Sequence, residues 1–187
     1  MTEHFTHSLL VAGPPTLSEP LGNALAGRGL RIERASYDQA VGLLTTSAFD
    51  GVALIPTLLS HGSEVDWDSV QHELTDVFRV VQEFVQRTSP EGRGGHLLAL
   101  APAEAAMGDP ADCHGSALAG GVLSLWRTLS LEVVKFKMTA NVVLYGEQTD
   151  WGDLAGMIHT LMSQDHGTIT GQEIYADAGR DGGRLHP

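Results

Sequence analysis

The stretch Gly115 to Gly146, GSALAGGVLSLWRTLSLEVVKFKMTANVVLYG, constrains the fold more than any other part of the chain. Leu118, Val122, Leu125, Leu129 and Val133 recur at helical spacing. Trp126 and Leu131 widen that stripe, which predicts a helix buried on more than one side. Gly115, Ser116, Ala117, Ala119, Gly120 and Gly121 are small enough to let a second backbone come close. Thr139 to Leu144 then reads as a short buried strand. A helix feeding such a strand belongs to a parallel sheet.

The rest of the chain repeats that alternation. Ser8 to Ala12 is a short apolar run broken by Gly13, Pro14 and Pro15. Ser18 to Ala26 has helix character, with Ser18 in the N-cap position and Glu19 in the first turn. Leu30 to Arg34 alternates like a strand, and Tyr37 to Ser47 is a short helix. Gly51 to Ile55 is a buried strand closed by Pro56, and Leu58 to Asp66 is a polar loop. Trp67 to Thr88 carries Val70, Leu74, Val77, Phe78, Val81, Phe84 and Val85 at helical spacing, with Asp66 and Asp68 marking its start. Ser89 to Gly95 is a loop, His96 to Ala101 a continuous apolar strand, and Pro102 to His114 a loop. Trp151 to Ser163 is the last helix and Gly171 to Ala176 the last strand. Continuous apolar strands fit a parallel sheet covered on both faces. The expected fold is α/β, a doubly wound, Rossmann-like parallel sheet of about six strands in one domain spanning residues 1–187.

Charge and composition narrow the function. Net charge is −12 with 11 Lys and Arg, which argues against nucleic acid and against an anionic membrane surface. No apolar run approaches the roughly 20 residues of a membrane span. MTEHFTHSLLVAG lacks the basic start of a secretory signal, so a cytoplasmic location is expected. One cysteine, Cys113, excludes an internal disulfide and reads as a loop thiol. Neither His4 with His7 nor His159 with His166 has a third ligand at metal-site spacing, so no metal is expected.

Four segments, in order, resemble the short-chain dehydrogenase/reductase family. ITGQEIYADAG, Ile169 to Gly179, is similar to that family's closing strand and D-G-G turn. SLWRTLSLEVV, Ser124 to Val134, resembles its long interface helix, and TANVVLYG the strand that follows. VQHELTDVF, Val70 to Phe78, resembles D-V-N-L-x-G-V-F. Relative to that pattern, the chain reads as truncated: one strand–helix unit between Arg34 and Phe49, and the substrate lid between Gly146 and Ile169, are shortened.

The resemblance also locates what is missing. Counting back from Glu132 puts the family's active tyrosine and lysine at Gly115 and Ala119. Its serine corresponds to Pro102 and its asparagine to Glu73. A phenol of lowered pKa must exchange the substrate proton, an ammonium must lower it, and a hydroxyl must hold the carbonyl. Glycine, alanine and proline do none of this. The phosphate turn, T-G-x-x-x-G-x-G in the family, keeps only Gly13; Pro14, Pro15 and Pro20 lack N–H donors, and Glu19 would repel a phosphate. Ile55, Pro56 and Thr57 replace the family's N-A-G turn. Neither catalytic residues nor a cofactor are therefore expected.

The resemblance implies a non-catalytic, pseudoenzyme-like subunit of a hetero-oligomer, paired with a catalytically active short-chain dehydrogenase/reductase. In that family the long helices and the last helix and strand make subunit contacts, so Val77, Phe84, Leu118, Val122, Trp126, Leu129, Ile174 and Tyr175 are the expected interface. The tail from Gly179 to Pro187 is a further segment able to reach a neighbour. Three other readings stay open. One is a cofactor-independent isomerase, cyclase or dehydratase using Glu73, His114 or Asp112. Another is a structural ketoreductase-like half from a polyketide pathway, against which the ITGQ ending speaks. The last is a homo-oligomeric ligand-binding module.

Overall fold

A computed structural model describes residues 7–56, 65–163 and 168–177. Six strands form one parallel sheet: β1 (His7–Ala12), β2 (Leu30–Ala35), β3 (Gly51–Leu54), β4 (Gly95–Pro102), β5 (Met138–Tyr145) and β6 (Glu173–Ala176). Their order across the sheet is β2-β1-β3-β4-β5-β6, and every pairing is parallel. The helices are α1 (Pro15–Ala26), α2 (Tyr37–Thr46), α3 (Trp67–Thr88), α4 (Ala103–Met107), α5 (Cys113–Glu132) and α6 (Trp151–Met162). The polar loop expected over Leu58 to Asp66 falls, through residue 64, outside the described residues, as does the tail beyond residue 177.

Alternate residues of each central strand serve opposite faces. Leu10, Val52, Leu97, Ala99, Ala140 and Val142 pack beneath α2, α3 and α5. Leu9, Val11, Ala53, Leu98, Leu100 and Val143 pack beneath α1 and α6. Both faces are dry, so the strands read as unbroken apolar runs. The doubly wound fold read from the sequence is the fold observed.

Chain direction across the sheet reverses after β2, which opens a switch point between β1 and β3. The units β1–α1–β2, β3–α3–β4 and β4–α5–β5 share one hand. The unit β5–α6–β6 moves the same way across the sheet as β3–α3–β4 yet has its helix on the opposite face, beside α1. It therefore has the opposite hand, although roughly 98% of such crossovers share one hand.

Local chemistry sets the helix limits. Asp66 caps α3 by accepting from Ser69 N at 3.2 Å, as its position in the sequence predicts. Ser36 and Gln39 close a reciprocal capping box on α2. The start expected for α1 at Ser18 is wrong: Pro14 is the N-cap, Pro15 the first helical residue, and Ser18 is buried within the helix. Proline fits a first helical position because its missing N–H has no partner to lose there. The loop expected over Pro102 to His114 contains the single turn α4, too short to show a period.

Candidate functional site

The C-terminal edge of a parallel sheet collects the loops that bind ligands, above all at the switch point. Here that edge presents the turn after β1, Ile55 and Pro56 after β3, Pro102 at the end of β4 and Gly146 after β5. Beside the switch point lies a crevice of about 320 Å³, lined by Gly13, Pro15, Ser18, Glu19, Arg34, Ala35, Ser36 and Gln39.

Gly13 packs so tightly that a Cβ would stand 2.5 Å from the Ile55 carbonyl oxygen. Its N–H donates to Ala35 O at 3.1 Å. The next donors are missing or engaged. Pro14 and Pro15 have none, and Leu17 N–H already bonds Pro14 O at 3.1 Å. Among the described residues, Thr16 alone keeps a first-turn amide outside such a bond. A pyrophosphate needs several converging amides at a helix N-terminus, and this turn does not supply them. Glu19 adds a carboxylate to the rim, 3.9 Å from the Arg34 guanidinium. The residues present do not fit a dinucleotide phosphate turn.

The other edge positions are equally poor in proton chemistry. Pro102 ends β4 and caps α4. Gly115 and Ala119 are both buried on α5. Gly115 is a glycine for a structural reason: Asp112, the N-cap of α5, folds over it and accepts its N–H at 2.9 Å, so that a Cβ there would collide with Asp112 Oδ2. His114 is buried beside it, and Cys113, the first residue of α5, is half-exposed with Sγ 3.8 Å from Pro110 O. The loop position expected for Cys113 is thus a helix start.

Glu73 is half-buried on α3. It lies close enough to Tyr37, the first residue of α2, to affect its titration. Burial first, then the Glu73 and Asp76 carboxylates, push the Tyr37 phenol well above its usual range. The Tyr37 hydroxyl donates to Ile55 O at 2.8 Å, so a protonated phenol spans the switch point. Sequence reasoning passed over Tyr37, because its spacing from Glu73 carries no motif. Across the sheet, burial raises the Tyr145 phenol to about 12, and its ring lies 6.3 Å from that of Trp151.

Of the interface residues expected from the sequence, five belong to the core. Val77, Phe84, Leu118, Val122 and Trp126 are each no more than 1% exposed, and all but Leu118 belong to the core cluster beneath α2, α3 and α5. Helical period marks a buried face, and side chains wholly covered by their own chain are not available to a neighbour. Leu129, Ile174 and Tyr175 keep part of their surface, with Tyr175 Oη 3.1 Å from Met107 Sδ. Leu131, expected in the buried stripe, is 79% exposed.

No three histidine, cysteine, aspartate or glutamate side chains among the described residues lie together as metal ligands. His4 and His166 are outside the described residues. No helix among the described residues is long and apolar enough to cross a membrane.

These features define a class: a doubly wound α/β domain with a crevice beside its switch point and two prolines at the turn after its first strand. More particularly, the fold is that of the short-chain dehydrogenases. The chain superposes on a short chain dehydrogenase family protein from Francisella tularensis subsp. tularensis SCHU S4 with a TM-score of 0.73 and 14% identity, over 92% of this chain and 98% of that one. It matches an acetoin dehydrogenase from Enterobacter cloacae with a TM-score of 0.77 and 14% identity, over 97% and 98% of the two chains. No family profile matches the sequence, and no curated protein matches it.

Proposed function

We propose that this chain is a non-catalytic, short-chain-dehydrogenase-like subunit that works with a catalytically active relative in a hetero-oligomer. One observation carries the reading. The positions where such a fold would hold its proton donor and phosphate turn are committed to structure: Gly115 to the Asp112 cap, and Pro14 and Pro15 to the start of α1. The partly exposed Leu129, Ile174 and Tyr175, on α5 and the edge strand β6, supply a surface for the relative. Support would be structural or regulatory, through the partner's active-site wall. The test is co-expression with an intact Tyr-x-x-x-Lys relative from the same genome, followed by co-purification and assay. The expected result is a stable complex whose turnover falls when Ile174→Glu and Tyr175→Glu break it. Dinucleotide-dependent hydride transfer by this chain alone would overturn the reading.

A second reading has support from Tyr37. The Tyr37 hydroxyl sits at the switch point on Ile55 O, and the Glu73 carboxylate is near enough to help raise that phenol; a cofactor-independent proton transfer would use Glu73 as base. Turnover of the partner's substrate without nucleotide, abolished by Glu73→Gln, would favour it.

A further inference from the structure

The sheet ends in an open strand. β2, LRIERA, lies outermost and pairs with β1 on one side; no described strand lies on its other side. The Ala35 carbonyl accepts from Gly13 N–H at 3.1 Å, so Ala35, Glu33 and Arg31 turn their backbone groups towards β1. Leu30, Ile32 and Arg34 turn theirs outward. Such an edge is a template for a further strand. We propose that it is a self-pairing edge, where β2 of a second copy of this chain adds antiparallel and joins the two sheets into one.

Charge selects that occupant and its register. Charged side chains on an edge ordinarily keep strands apart. Here one register turns them into an attraction. An antiparallel ladder sets hydrogen-bonding residues opposite each other, so the two-fold axis of a self-pair falls on a residue, not between two. With the axis on Ile32, Ile32 faces its twin and Leu30 faces Arg34, and each of these pairs exchanges both backbone bonds. All three outward-facing residues are then used. Arg31 stands opposite Glu33 of the other copy, and Glu33 opposite Arg31, at the non-hydrogen-bonded sites where Cα atoms approach to about 4.5 Å. Both side chains are exposed, so they are free to meet there. Opposite charges so placed attract, and like charges repel. An axis on Arg31, Glu33 or Arg34 would set that charge against itself, and one on Leu30 would leave most of the strand overhanging. Ile32, partly buried against the core beneath α1, covers its remaining surface with its twin.

This edge lies at the opposite end of the sheet from β6, the edge assigned to the active relative. The test uses this chain alone, so its failure leaves that pairing standing. Sedimentation of the purified full chain is expected to give a dimer with a Kd at or below about 10 µM. Ile32→Pro removes an outward N–H that the chain's own sheet does not use, and is expected to raise that Kd at least ~10-fold. Arg31→Glu places two carboxylates together at both sites and is expected to raise it about 10-fold; Arg31→Glu combined with Glu33→Arg restores it. Trp67→Glu, on the exposed face of α3, leaves it unchanged. Amide exchange at Ile32 slows as the chain concentration rises through the Kd. A monomer at about 100 µM, a dimer indifferent to Ile32→Pro and Arg31→Glu, or a charge swap that does not recover would each overturn the proposal.

Discussion

Gly13 and His96 show how single residues hold the sheet at its two ends. At the C-terminal edge, Gly13 adopts φ +155 against the Ile55 carbonyl. Alanine there would meet backbone, which cannot swing aside as a flexible side chain can. Gly13→Ala is therefore expected to destabilise the fold by roughly 2 kcal/mol or more, measured as a lower midpoint in urea at unchanged slope. At the N-terminal edge, His96 Nδ1 lies 3.0 Å from Thr139 Oγ1, within a cluster of His7, Asp50, Arg93 and Lys137. Burial is the main cause that lowers His96 from 6.5 to about 4; His7 adds to it and Asp50 opposes it. The folded state thus favours the neutral ring, and the unfolded chain binds the extra proton between those two values. Stability is whole above pH 6.5 and is lost progressively as pH falls towards 4. The linked contribution is on the order of 3 kcal/mol. Denaturant titrations across that window should show the loss, and His96→Gln should flatten it. Sequence singled out Gly13 by its motif. It gave no sign of His96 or Tyr37, whose environments are made by residues dozens of positions away.

At the scale of an element, α5 explains a vacancy that chemistry alone leaves puzzling. Gly115 is the third residue of the helix, and glycine there costs about 1 kcal/mol in propensity relative to alanine. Asp112 offsets this by capping Gly115 N–H, and its carboxylate fills the space a Cβ would take. The two positions are thus coupled. Asp112→Ala alone is expected to cost about 1 kcal/mol. Gly115→Ala alone displaces the cap and gains little. Made in the Asp112→Ala background, Gly115→Ala should be stabilising by a few tenths to about 1 kcal/mol. A thermal double-mutant cycle with no coupling would contradict this account. Helices with such local grammar were legible: Asp66 fixed the start of α3 and a long apolar period its course. The start of α1 was not, because Ser18 is an equally good cap by type and only the packed structure buries it. The period that located α3 and α5 also misdirected the interface assignment, since it reports burial without saying against what.

For the whole molecule, strand number and winding follow from apolar runs alternating with helices, and they were readable. The reversed hand of β5–α6–β6 was not: no residue type encodes the face of the sheet on which a helix lands, and α6 lands beside α1 because their apolar faces share one core with Leu9 and Val11 of β1 and Leu98 and Leu100 of β4. The same architecture makes the nucleotide question decidable. A switch point beside a crevice of about 320 Å³ is where this fold would take a dinucleotide, so binding turns on the donors in one turn. Ligand that binds only the folded chain raises stability by RT ln(1 + [L]/Kd), about 2.7 kcal/mol at a hundredfold excess over Kd. With Pro14 and Pro15 lacking N–H and Leu17 N–H held by Pro14 O, NADH or NADPH at millimolar levels is expected to leave the melting temperature unmoved. Pro14→Gly with Pro15→Ala and Glu19→Ala returns two amides and removes the opposing carboxylate. That variant should start from a lower melting temperature, through loss of the rigid helix start, yet rise with dinucleotide in a saturable way. A wild-type chain that itself gains several degrees would place a nucleotide in the crevice and remove the ground for a non-catalytic subunit.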